Sequence, residues 1–181
     1  MMQMTHVKKL VFTAVCAALC VVLPMVFHSF PNGGSVFLPM HIPVLLCGLV
    51  CGWPQGALCG LVGPLLSSVI TGMPPAAMLP SMMVECAVSG LVSGFLLQKV
   101  RTGRLYADLY ISLTAAMLLG RVISGIAKAL IIAPGTTLAA WAAASFVTGL
   151  PGIVIQLVLL PCLIGPLTKA RLISDRYSEG D

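Results

Sequence analysis

Leu38–Pro75 reads LPMHIPVLLCGLVCGWPQGALCGLVGPLLSSVITGMPP, a stretch without a single Asp, Glu, Lys or Arg. The uncharged run extends in both directions, from Leu10 to Val84. A water-soluble fold of this size scatters charge over its surface and makes about a quarter of its residues charged. Here charged residues are 8% and hydrophobic ones 59% of 181 residues, with a mean hydropathy of +1.05. Such a chain is expected to be an integral membrane protein of the cell membrane, multi-pass and all-α, because lipid tolerates only backbone that satisfies its own hydrogen bonds.

Crossing the hydrocarbon core takes roughly 20 apolar residues, so the length allows about six crossings and no separate soluble domain. Pro and Gly mark the breaks. They predict helices over 8–28, 39–52, 54–71, 75–98, 105–132 and 151–169, in one membrane domain spanning 1–181. The segment TLAAWAAASFVTG is short and built of small residues. It is expected to give an outer short helix or lid over 137–148. The 18 apolar residues from Leu10 to Phe27 end without a small-x-small cleavage site, so they read as the first crossing rather than a removable signal.

The net charge of +5 does not mark a nucleic-acid-binding face. Lys8 and Lys9, then Lys99, Arg101 and Arg104, then Lys169, Arg171 and Arg176 form three clusters at the ends of apolar segments. With six crossings all three fall on one side of the bilayer, which the positive-inside rule makes cytoplasmic. The expected topology is a six-helix bundle, N-in and C-in.

Two cations break the pattern. Arg121 and Lys128, in LGRVISGIAK, stand seven residues apart inside the fifth apolar segment. Nearly two helical turns separate them, about 10 Å along the axis, so they share a face with Ser124 and Gly125 between them. Counted from the outer ends, Glu85 in the fourth helix and Arg121 in the fifth come to similar depth near mid-membrane, where they can pair. Lys128 lies nearer the outside with no acid at its depth. An unpaired ammonium there costs several kcal/mol even on mild insertion scales. Two readings are open: Lys128 snorkels to the headgroups, or it faces a wet pocket and receives an anionic ligand. The Glu85–Arg121 pair can equally fix helix registry. His41 reads as a pocket or packing residue, since no second ligand stands three or four positions away. Gln156, about five residues into the sixth helix, is suited to capping a ligand or to joining two helices.

Signals for catalysis are missing. No Walker A loop, zinc-type spacing or nucleophile elbow occurs, and Glu85 and Asp108 sit at opposite depths. No enzyme activity, cofactor or metal is expected. The seven cysteines all lie in apolar helices, Cys16/Cys20 and Cys47/Cys51 at i, i+4 spacing, and read as small packing residues.

The six-helix pattern, the block at 38–75 and LPGIVIQLVLLP before a basic tail resemble the substrate-binding S component of energy-coupling factor (ECF) vitamin transporters, over about residues 8–170. The resemblance implies a subunit that captures a small water-soluble vitamin from outside and docks on a transmembrane coupling (T) component driven by two cytoplasmic ATPases. It maps the family's Ala-x-x-x-Ala docking motif onto Ala14 and Ala18. It also places the outer loops SFPNGGSVF, TGMPP and PGTTLAAW over the ligand, with Asn32 as a hydrogen-bonding candidate. The substrate-binding set is then Lys128, Arg121, Glu85, Asn32, His41 and Gln156. Few aromatics are available to stack a large ring, which favours a small anionic vitamin or precursor such as pantothenate. The competing expectation is a structural scaffold subunit of the rod-complex MreD-like kind, which needs no ligand.

Overall fold

In a computed structural model, residues 5–27, 37–129 and 149–169 are described. Among them the chain forms six helices: α1 (His6–Phe27), α2 (His41–Cys51), α3 (Trp53–Thr71), α4 (Leu79–Lys99), α5 (Leu105–Ala127) and α6 (Leu150–Lys169). No strand occurs among the described residues. The expected all-α bundle is therefore observed, and five helices are long and apolar enough to cross a membrane. The exception is α2, whose 11 residues reach only about 16 Å at 1.5 Å per residue, half of a hydrocarbon core. The outer segment expected over 137–148, the last residues of the fifth predicted helix and Asn32 lie outside the described residues.

Why α2 can be short is clear from its surroundings. Val44, Cys47 and Cys51 pack with Cys16, Ala17 and Cys20 of α1, Cys59 of α3 and Cys86 of α4. Leu45 and Leu49 pack into a second core with Leu97 of α4, Leu109, Leu113 and Met117 of α5, and Leu160 and Ile164 of α6. A helix apolar all round is an interior helix; α2 is the bundle's central element and joins its two cores. The cysteines behave as small apolar residues, six of them buried and Cys162 exposed, with no disulfide.

Gly52 makes the reversal from α2 to α3 in a single residue. Its backbone sits at φ 104, ψ 174, a region closed to other residues, and Trp53–Pro54 starts the next helix. The tightness carries α3 back along α2 and against α4. Gly48, Gly56 and Gly90 meet there backbone to backbone. A Cβ on Gly56 would lie 2.6 Å from Gly48 Cα, and one on Gly90 would overlap the Gly56 carbonyl. Small residues at such crossings are the usual basis of close helix association in lipid.

Lys8, Lys9, Lys99, Arg101, Arg104 and the Lys169 end of α6 share one end of the bundle. Cys51 Sγ lies 3.8 Å from the Lys9 carbonyl, the Gly52 turn faces Gln98, and Gly165 of α6 faces the Tyr106 hydroxyl of α5. Asp108 is buried at this end. Its Oδ1 accepts hydrogen bonds from Thr102 N–H at 2.9 Å and Thr102 Oγ–H at 2.7 Å, which ties the basic loop 100–104 to the start of α5.

At the opposite end α4 starts later than the sequence suggests. Residues 75–78 form a turn closed by Met78 N–H to the Pro75 carbonyl at 2.8 Å. Ser67 and Ser68 hydroxyls, at the end of α3, donate to the Met73 and Pro74 carbonyls at 2.8 and 2.9 Å. Serines competing for nearby carbonyls favour turn over helix, and this shifts the outer boundary of α4 from 75 to Leu79.

Candidate functional site

The polar residues of four helices converge in the outer part of the bundle. Glu85 is the seventh residue of α4, Gln156 the seventh of α6, and Arg121 the seventh from the end of α5. His41 opens α2. The shared level lies about 9 Å in from the helix ends, a third of the way along α4. For Glu85 this is shallower than the mid-membrane depth expected from sequence, because α4 begins at Leu79 rather than at 75.

Glu85 is the hub. Arg121 Nε lies 3.5 Å and His41 Nε2 3.3 Å from the same carboxylate oxygen, Oε1. Ser124 Oγ stands 3.4 Å from Oε2. His41 and Arg121 are each 4% exposed, while Glu85 is 20% exposed. The expected Glu85–Arg121 pair thus exists, and His41 extends it into a triad that sequence spacing does not reveal. Because the carboxylate can only accept, Nε2 of His41 carries the proton of that contact. Its other nitrogen, Nδ1, is buried without a hydrogen-bond partner, and so is Oε1 of Gln156.

Gln156 does part of what sequence suggests for a helix-joining residue. Its Nε2 donates to the Leu38 carbonyl at 3.3 Å, and the same carbonyl receives the backbone N–H of His41 at 3.1 Å. Leu38 holds φ 49, left-handed backbone that a leucine adopts at a cost. The α6 amide and the entry to α2 are therefore locked together one turn from the Glu85 triad.

Lys128 follows Arg121, Ser124 and Gly125 along the inward stripe of α5. Its backbone N–H caps the helix on the Ser124 and Gly125 carbonyls, and its side chain is half-buried. Among the described residues it has no acidic partner within ion-pair distance. No three His, Cys, Asp or Glu side chains converge to hold a metal ion among the described residues. A separate groove of about 410 Å³ between α5 and α6 is lined by Tyr106, Tyr110, Val158, Pro161, Cys162, Gly165 and Pro166. It lies at the basic end, away from the charged cluster, so the chemistry and this groove do not coincide.

A family model described as ECF transporter, substrate-specific component matches residues 8–164. The chain belongs to this family. No curated protein matches the chain. As an ECF transporter substrate-specific component, it is an integral, multi-pass membrane protein and a transport subunit, and its family associates with a T component and ATPases in a membrane module. For such a subunit the orientation of α1 matters. Thr13, Cys16, Ala17 and Cys20 face the bundle, whereas Ala14 and Ala18 face outward among exposed Leu10, Val11, Val15, Val22 and Met25. The small-residue pair therefore lies on an exposed face of α1 that the other described helices leave uncovered.

Proposed function

We propose that this S component captures a small anionic, water-soluble vitamin or precursor, of which pantothenate is the best representative, at the outer end of the bundle and delivers it with an ECF module. The observation that carries the reading is a charge imbalance. Glu85 is engaged by Arg121 and His41, while Lys128 adds a further cation on the same stripe of α5 without an acidic partner among the described residues. A carboxylate arriving from outside supplies the missing charge. The T component meets α1 at Ala14 and Ala18, and the three basic clusters face the cytoplasm, giving N-in, C-in topology. Asn32 is assigned to the ligand from the family resemblance alone. A ligand-free scaffold, the MreD-like alternative, would have no use for a half-buried cation without a counter-charge.

The test is titration of the purified chain with pantothenate by calorimetry or thermal shift. Lys128→Ala should weaken binding by about 1.5–3 kcal/mol, the worth of a charge-assisted hydrogen bond, or roughly 10- to 150-fold. Lys128→Arg should restore only part of it, since a planar fork does not replace a compact ammonium. Glu85→Gln should act differently: it strips the counter-charge from Arg121 and a partner from His41, so thermal stability falls more than anion affinity. Equal affinity of wild type and Lys128→Ala would leave snorkelling as the account of this lysine.

A further inference from the structure

The groove between α5 and α6 stands apart from the charged cluster, and its own chemistry is ordered by depth. Gly165 leaves it open beside Tyr106, whose hydroxyl would lie 3.4 Å from a Cβ at that position. Tyr106 and Tyr110 line the α5 wall and remain about half exposed. Neither phenol hydrogen-bonds to any of the described residues. Arg104 immediately precedes α5 and is exposed. Tyr106 is the second residue of the helix and Tyr110 the sixth, about 6 Å deeper. Along the opposite wall α6 ends at Lys169, one turn beyond Gly165 and Pro166. Cys162 and Val158 follow at increasing depth on that wall, Val158 about 10 Å further in than Gly165. From the basic end inward the groove therefore presents cationic positions, then two O–H donors, then apolar surface.

A phospholipid presents the complementary series at the same depths: a phosphate, ester carbonyls that can only accept, and an acyl chain. Tyrosine suits this level of a bilayer because its ring is apolar and its hydroxyl polar, and cations at the membrane surface draw anionic lipids. We propose that the α5–α6 groove is a binding site for an anionic phospholipid of the leaflet that meets the basic end. Its phosphate lies at Arg104 and Tyr106, a glycerol ester carbonyl accepts from Tyr110, and one acyl chain runs along Cys162 and Val158. A partner helix fits the groove less well, because a helix in lipid already uses its carbonyls internally and has none to give two phenols. The small-residue face of Ala14 and Ala18 is also on a different element, since α1 packs mainly against α2, α3 and α4. The lipid site does not depend on which vitamin the subunit carries.

The experiment titrates the full chain in detergent with phosphatidylglycerol or phosphatidylcholine of identical acyl chains, counting bound lipid by native mass spectrometry. The two lipids share phosphate, esters and chains and differ in net charge. Phosphatidylglycerol should bind more tightly, and Arg104→Gln should reduce that preference about fivefold, the effect of one cation near an anionic surface. Lys8→Gln, the same charge change on α1, should leave it unaltered. Tyr110→Phe should weaken both lipids alike, because the ester is common to them. N-ethylmaleimide attached to Cys162 of the wild type should displace the bound lipid, a readout that needs no variant to fold. Equal binding of the two lipids, a preference that survives Arg104→Gln, or lipid retained after Cys162 is blocked would overturn the inference. So would efficient cross-linking of Cys162 to a second copy of the chain or to another subunit of the assembled module, which would give the groove a protein occupant.

Discussion

Gly90→Leu should prevent the bundle from assembling, and even Gly90→Ala should lower its stability. In an exposed helix Gly→Ala is favourable by about 1 kcal/mol, so the sign has to be decided by packing. A methyl on Gly90 would overlap the Gly56 carbonyl oxygen, lie 2.6 Å from the carbon of that carbonyl and 2.9 Å from Val44 Cγ1. The first two atoms are backbone held by α3 and cannot rotate away. Overpacking a tight site costs typically 1–3 kcal/mol, and more where the backbone must move, which outweighs the helix gain. The loss should appear as a lower unfolding midpoint in detergent for Gly90→Ala and as failure to recover folded protein for Gly90→Leu. Val69→Ala, at a position 76% exposed, should change neither. A Gly90→Ala protein as stable as wild type would show that α3 and α4 are not in direct backbone contact.

Ala18→Trp should abolish uptake while leaving ligand binding intact. Ala14 and Ala18 lie one turn apart on the outward face of α1, and two small residues at i, i+4 let another helix approach closely. An indole there holds a partner helix off, whereas the Glu85 triad lies on α2, α4 and α5 and is untouched. Uptake of labelled vitamin by cells expressing the whole module should fall to background for Ala14→Trp and for Ala18→Trp. Titration of the purified variants should match wild type. Transport that survives both substitutions would move the docking face elsewhere on the subunit.

Much of the fold was readable because lipid imposes a simple code. Uncharged stretches became helices, Pro and Gly became breaks, and α1, α3 and α6 begin and end within about two residues of expectation. The outer boundary of α4 was misjudged because Ser67 and Ser68 tie down the Met73 and Pro74 carbonyls, a choice made by hydrogen bonds rather than by hydropathy. In the site, Glu85 and Arg121 could be paired by depth, since intramembrane charges are few and seek each other. Adding His41 to them required knowing that α2 is central and that its first residue faces α4. No spacing rule links positions 41 and 85. Matching depth from the outer ends was the available signal, and it was masked by the four residues wrongly added to α4. The polarity of Gln156 was not readable at all, because it depends on which end of the amide the Leu38 carbonyl takes.

The distribution of thiols has a practical consequence for studying the subunit at work. Six cysteines are sealed inside helix contacts and Cys162 alone is exposed, on the α5–α6 groove beside Tyr106 and Tyr110. The native chain therefore offers one attachment point for a spectroscopic reporter, with no background residues to remove first. A membrane-permeant maleimide should add once per folded molecule and up to seven times after denaturation, so a single mass measurement reports the fraction folded. A fluorophore on Cys162 would watch the α5–α6 surface from within the bilayer, nearer the basic end than the Glu85 cluster.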